Sequence, residues 1–114
     1  MKNIAVILAG GSGKRMEMKV PKQFLVLGGK PIIQHSIEAF ERHAEIDEIC
    51  IIIHADFVPE IEDIVNKNRI TKVKHILPGG KERSDSSLAA ILVYKGELDV
   101  NLIFHDAVRP FVSD

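Results

Sequence analysis

The sequence predicts a doubly wound α/β fold with a mostly parallel sheet. Two observations carry this. Ile4 to Leu8 and Ile49 to Ile53 are short runs that are apolar on both faces, as central parallel strands covered by helices must be. Strand-like and helix-like segments also alternate along the chain, which argues for β-α-β units rather than a meander.

The elements follow in order. Ile4 to Leu8 is the first strand and stops at glycines. Ala9 to Gln23 has three glycines, little periodicity and many basic residues, and reads as a long loop. Pro31 suits a first helical turn and opens a helix to about Arg42, with Ile32, Ile33, Ile37, Ala39 and Phe40 at mostly helical spacing. Ile49 to Ile53 is the second strand. Pro59 to Asn66 places Ile61, Ile64 and Val65 on one helical face. Val73 to Leu77 is a weaker third strand, ended by Pro78, Gly79 and Gly80. Ser84 or Asp85 can cap a third helix carrying Leu88, Ala89, Ile91, Leu92 and Tyr94. Leu102 to Phe104 is a fourth strand, closed by His105 and Asp106.

Composition narrows the function. The 114 residues suit one compact domain, and 46% apolar residues suffice for its core. A net charge of −1 gives no general attraction to nucleic acid or anionic lipid, so anion binding must be local. No apolar run reaches the ~20 residues of a membrane span, and the N-terminal apolar stretch is too short for a signal peptide. The single cysteine, Cys50, excludes an internal disulfide and reads as a buried small hydrophobe. A soluble cytoplasmic protein is expected.

Right-handed crossovers make the four strands parallel, so the segments after Leu8, Leu77 and Phe104 leave the sheet at one edge, where open α/β sheets bind ligands. The first of these is Ala9-Gly10-Gly11-Ser12-Gly13-Lys14-Arg15, followed by Pro21-Lys22-Gln23-Phe24. Glycines after a strand let backbone N–H groups close on an anion. Between Gly10 and Lys30 the bases Lys14, Arg15, Lys19, Lys22 and Lys30 face only Glu17, a local charge of +4. A triphosphate fits such a loop; a solvated glycine turn with surface lysines is the alternative.

Two better-known motifs fail. The first glycine of a Walker A loop would fall at Leu8, and Arg15 stands in the hydroxyl position. The third glycine of a dinucleotide fingerprint would fall at Met16, which weakens a nicotinamide oxidoreductase reading.

The second segment, Gly79-Gly80-Lys81-Glu82-Arg83-Ser84-Asp85-Ser86, can bring backbone groups to a base edge and hydroxyls to base or ribose. A capped strand-to-helix turn explains it equally. The third is His105-Asp106-Ala107-Val108-Arg109-Pro110. Asp106, an acid at a strand end facing phosphates, is suited to Mg²⁺, and Arg109 to a phosphate; an Asp106–Arg109 salt bridge closing the loop is the competing reading. His105 reads as packed or hydrogen-bonded within the fold. His35, His43, His54 and His75 lack zinc-motif spacing. No nucleophile triad is present, and phosphoryl or nucleotidyl transfer needs none, because it runs on positioning and charge neutralisation.

Taken in order, LAGGSGKRM, PKQF, GGKERSDS and HDAVRPF resemble the sugar-alcohol-phosphate cytidylyltransferases, a group acting on ribitol 5-phosphate or 2-C-methyl-D-erythritol 4-phosphate. The four motifs span essentially the whole chain. The resemblance implies a Rossmann-like fold of the nucleotide-diphospho-sugar transferase type, and a reaction in which CTP and a polyol phosphate give CDP-polyol and pyrophosphate with Mg²⁺.

By position, Ala9, Gly10, Gly11 and Gly13 would line the triphosphate loop, and Arg15 and Lys22 would be catalytic at the α-phosphate. Gly79, Gly80, Arg83 and Ser86 would surround cytosine and ribose. Asp106 would lie by the metal, and Arg109 would fix the loop or contact substrate phosphate. Lys81 stands where methylerythritol-type enzymes often carry an acid, and Leu8-Ala9-Gly10-Gly11 replaces their common Ala-Ala-Gly. Both lean toward ribitol 5-phosphate, with methylerythritol phosphate, of isoprenoid biosynthesis, and a non-catalytic nucleotide-binding fragment as alternatives.

Enzymes of this group are about twice as long. Residues 1–114 are therefore expected to be the N-terminal, CTP-binding part of one nucleotidyltransferase domain, inactive alone, with the C-terminal half completing the acceptor pocket. The full-length form is expected to be a homodimer.

Overall fold

Four strands stand parallel in the order β5-β4-β1-β6, where β1 is Lys2–Ala9, β4 Glu48–Ile53, β5 Val73–Pro78 and β6 Val100–Asp106. The computed structural model describes residues 1–9, 26–79, 83–97 and 99–107, the side chains of 83–85 excepted. β1 and β4 hold the centre. Every residue from Ile4 to Ala9 and from Ile49 to Ile53 is buried, which is why neither strand alternates.

Three crossovers connect the strands. Helix α1, Ile32–Arg42, leads from β1 to β4; α2, Val58–Lys67, leads to β5; α3, Arg83–Val93, carries the chain back to β6 on the far side of β1. α1 and α2 cover one face, where Ile33, Ile37, Phe40 and Ile61 pack on Ala5, Ile7, Ile49, Ile51 and Ile53. α3 covers the other, where Ala90 and Tyr94 pack with Ile4, Val6, Leu8, Cys50 and Ile52. The doubly wound parallel sheet expected from the sequence is thus the fold. Strand order reverses between β1 and β6, which puts the switch point beside the glycine-rich segment.

Local chemistry sets the ends. A short 3₁₀ turn at Ala55–Phe57, capped by His54 Nδ1 accepting from the Asp56 N–H at 3.1 Å, leads into α2. Pro59 lies in the first turn of α2, Glu60 beside it, and Lys67 in the last turn, matching the helix dipole. Beyond α2 the chain turns through Arg69 at φ 54°, and the Ile70 N–H donates to the Val65 carbonyl at 3.0 Å. Glu41 reaches from α1 to the start of β5. Its carboxylate accepts from Thr71 N and Oγ1 at 3.0 and 2.6 Å and from Lys72 N at 2.9 Å.

Three details differ from the sequence reading. A small hairpin, β2 (Val26–Leu27) and β3 (Lys30–Pro31), precedes α1; Gly28 and Gly29, at φ 62° and 84°, make its turn. Pro31 caps α1 from outside rather than occupying its first turn, because its ψ of 145° is extended. On α3 the face against the sheet is that of Ser86 and Ala90, continued by Tyr94 just past the helix, and Leu88, Ile91 and Leu92 point outward and are exposed. Cys50 is fully buried, as expected.

Candidate active site

All four strands are parallel, so their carboxyl ends form one rim. Register fixes the order along it: Asp106 beside Leu8, Ala9 beside Ile53, and Ile53 beside Pro78. Neighbouring strands lie about 4.8 Å apart, so Ala9 and Pro78 are separated by roughly 10 Å across β4. That is a span a nucleotide can bridge.

The three chemically unusual segments of the sequence all start on this rim. Ala9, buried, is the last residue of β1 and leads into the glycine-rich loop. Gly79 follows β5, and its N–H donates to the Ile53 carbonyl at 2.7 Å, which ties the second glycine segment to β4. Ser86 lies in the first turn of α3 and is 2% exposed. Asp106 ends β6, half-buried, and the next residue, Ala107, is buried and donates its N–H to the Leu8 carbonyl at 3.1 Å. By strand alternation Asp106 shares the α3 face of the sheet with its neighbour Leu8.

Of the other expected site residues, Gly10, Gly11, Gly13, Arg15, Lys22, Gly80 and Arg109 lie outside the described residues, as does the loop expected over Ala9 to Gln23 beyond Ala9 itself. For Arg83 the backbone alone is described, as the start of α3. The basic segment needs one correction. Lys30 pairs with Glu38 of α1 at 2.6 Å, and Gln34 donates to the same carboxylate at 3.0 Å. Burial pushes the Glu38 carboxyl up, but these hydrogen bonds and the charges of Lys30 and Arg42 outweigh it and hold it below the usual carboxylate range. Lys30 therefore belongs to the scaffold and not to an anion site.

The histidines have structural partners. His105 lies with Nε2 3.4 Å from Ser36 Oγ, and its ring meets Phe40 edge-on with centroids 5.3 Å apart, so it is packed within the fold as expected. His35 donates from Nε2 to the Leu27 carbonyl and braces the hairpin. His75 meets Tyr94 edge-on at 5.4 Å. His54 is the rim residue that sequence reasoning passed over: it follows β4, is exposed, and stands between the Ala9 and Gly79 strands. Its signal was positional, because every parallel strand delivers the residue after it to this edge.

The rim can also be tested for a metal. Among the described residues no three His, Cys, Asp or Glu side chains cluster as a metal cage. A single strand-end carboxylate is the donor set suited to Mg²⁺, which keeps water and takes its remaining ligands from phosphate oxygens. Asp106 fits that description.

Comparison with known proteins decides the family. The model of the family described as IspD: 2-C-methyl-D-erythritol 4-phosphate cytidylyltransferase matches residues 3–114. The chain belongs to the IspD family.

The chain is 49% identical over 113 residues to the bifunctional ribulose 5-phosphate reductase/CDP-ribitol pyrophosphorylase Bcs1 of Haemophilus influenzae, covering 98% of this chain and 24% of that protein. It is 43% identical over 112 residues to the 2-C-methyl-D-erythritol 4-phosphate cytidylyltransferase of Clostridium botulinum strain Langeland, covering 98% of this chain and 48% of the relative. Among solved structures, the 4-diphosphocytidyl-2C-methyl-D-erythritol synthase of Anaerococcus prevotii superposes with a TM-score of 0.75 at 29% identity, over 98% of this chain and 45% of that one. The chain thus spans about half the length, or less, of these relatives. Among the described residues no helix is long and apolar enough to cross a membrane.

Proposed function

We propose that this chain is the CTP-binding half of a cytoplasmic cytidylyltransferase. CTP would lie along the rim, with a polyol phosphate as acceptor and pyrophosphate as the leaving group. The observation that carries the reading is that Ala9, Gly79 and Asp106 stand at one edge of the sheet, next to the switch point, with Ser86 in the first turn of the helix that follows Gly79. Family membership and a rim of the right width support it.

In this reading the backbone N–H groups of Ala9, Gly10, Gly11 and Gly13 receive the triphosphate. Gly79 and Gly80 approach the cytosine edge, where a side chain would hold a base off, and Arg83 and Ser86 complete the contacts to base and ribose. Ser86 supports this by its place, buried in the first turn of the helix that follows the second glycine segment. Arg15 and Lys22 neutralise the α-phosphate as an acceptor phosphate oxygen bonds to it and the bond to the β-phosphate breaks. Asp106 would hold Mg²⁺, which when bound neutralises charge on the phosphates. Arg109 would fix the loop after β6 or contact the acceptor phosphate. The chain acts as one part of a single nucleotidyltransferase domain, and the homodimer expected of the full-length enzyme forms part of the same proposal.

For the acceptor, the family description and the Clostridium botulinum relative favour 2-C-methyl-D-erythritol 4-phosphate over the ribitol 5-phosphate that Lys81 and Leu8-Ala9-Gly10 suggested. The 49% identity to a CDP-ribitol pyrophosphorylase keeps ribitol 5-phosphate as the second reading.

Calorimetry with CTP tests the core of the proposal. Micromolar binding that requires Mg²⁺ and is lost in Lys22→Ala and Arg15→Ala is expected. A folded chain that ignores CTP would overturn it. Turnover is not expected from the chain alone, and rapid pyrophosphate release from CTP and either polyol phosphate would refute the half-site reading.

A further inference from the structure

The last residues of β6 and the one after it face alternate layers. His105, beside Ile7, lies on the α1 face of the sheet; Asp106, beside Leu8, lies on the α3 face; Ala107 is buried again in the α1 cluster. Asp106 is thus flanked on both sides by residues turned into the opposite layer.

Helix α1 gives His105 a two-point seat. Ser36 and Phe40 stand one turn apart on the same helix face, and both are buried. Ser36 Oγ lies 3.4 Å from His105 Nε2, and Phe40 meets the imidazole edge-on, with centroids 5.3 Å apart and planes at 80°. The aromatic contact fills space; the polar one selects which edge of the ring faces the helix. Packing alone would be served by alanine at position 36, whereas a hydroxyl there carries the cost of desolvating a polar group.

The same strand end is tied to β1, since the Ala107 N–H donates to the Leu8 carbonyl at 3.1 Å. Along the sequence β1 precedes the glycine-rich segment and α1 follows it. The end of β6 is therefore fastened to an element on either side of that segment.

We infer that His105 is a positioning residue for Asp106: seated by Ser36 and Phe40, it holds the end of β6 so that the Asp106 carboxylate stands where the metal binds. This role rests on the reading of Asp106 as a Mg²⁺ ligand given above. His105 itself touches neither metal nor nucleotide in it. Groups that orient a metal-binding side chain govern metal affinity almost as strongly as the ligand does.

Calorimetry of CTP binding across a Mg²⁺ series, with amide exchange followed by NMR on the same proteins, tests the role. His105→Phe keeps a ring against Phe40 and removes both ring nitrogens. It is expected to raise the Mg²⁺ needed for half-maximal CTP binding roughly tenfold, with metal-free CTP affinity unchanged. Exchange of the Ala107 amide is expected to quicken roughly tenfold. His105→Gln returns a polar atom toward Ser36 and is expected to recover most of the loss. Ser36→Ala, a milder change that keeps the helix, is expected to reproduce the shift, and the double variant to go no further, as for two partners in one contact. His75→Phe, which alters the histidine stacked on Tyr94, leaves the Mg²⁺ requirement as it was. Lower stability with the wild-type Mg²⁺ requirement in Ser36→Ala and His105→Phe would make His105 a packing residue only and overturn the inference, as would additive shifts in the double variant. A wild-type chain that ignores CTP, or binds it without need of Mg²⁺, would instead overturn the Asp106 reading and this role with it.

Discussion

The N–H of Ala107 donates to the carbonyl oxygen of Leu8 at 3.1 Å, so the residue after Asp106 is tied to the residue before Ala9. With Asp106 itself in register beside Leu8, the candidate metal ligand and the start of the glycine-rich segment are held together by backbone. Asp106→Asn keeps the size of the side chain and removes its charge. We expect an unchanged fold by circular dichroism and CTP affinity in Mg²⁺ reduced roughly tenfold or more, to the value seen without metal. Retained metal dependence in calorimetry would remove Asp106 from the site.

Glu41 joins α1 to the start of β5 through three hydrogen bonds. Burial raises its carboxyl pKa, but the bonds from Thr71 and Lys72 and the Lys72 charge prevail and hold it below the usual carboxylate range. The folded pKa is therefore below the unfolded one. The contribution is complete above the ordinary glutamate pKa of about 4.3 and is lost as pH falls through the folded value. Glu41→Gln should cost about 1–2 kcal/mol in urea melts at neutral pH, reduced by its partial exposure, and the difference should shrink in acid. A constant difference across pH would contradict this.

Tyr94 is the only tyrosine, and its hydroxyl donates to Glu48 Oε2 at 2.9 Å. Burial first, then the Glu48 hydrogen bond, raises its pKa far above the ordinary range. Because the folded pKa lies above the unfolded value of about 10, this stabilisation is full below that pH and fades as pH rises beyond it. Ultraviolet titration of the native protein should therefore show no phenolate until alkaline unfolding begins. Tyr94→Phe should cost about 1 kcal/mol near neutrality. An early phenolate signal in folded protein would rule the arrangement out.

Arg69 holds φ 54° at the end of α2, a conformation that penalises a side chain. Relief of that penalty exceeds the added freedom of an unfolded glycine, so Arg69→Gly should stabilise the fold by about 0.5–1 kcal/mol. Equilibrium denaturation measures it, and a loss of stability would show that the arginine side chain contributes more than its backbone costs.

Some of this architecture was legible in the residues and some was not. Ile4 to Leu8 and Ile49 to Ile53 announced central strands because burial on both faces leaves no other composition. The rim followed from their parallel direction. The outward Leu88, Ile91 and Leu92 could not be read, because α3 has apolar residues around most of its circumference and the sequence does not say which stripe meets the sheet; the stripe of Ala90, continued by Tyr94, is the one that packs. Lys30 looked like part of an anion site because its partner, Glu38, lies eight residues on and across a turn. The hairpin at Val26–Pro31 did have a signal, Gly28-Gly29, but its strands are two residues each, too short for periodicity.

Cys50 lies on β4 at the centre of the sheet, fully buried, and burial together with the Glu48 charge pushes its thiol up to about 12. The wild-type chain is thus a silent background for thiol chemistry. A cysteine engineered beside Ala9 or Gly79 can take a fluorophore or spin label without first deleting the native one, so nucleotide occupancy of the rim becomes directly observable in an otherwise unaltered molecule.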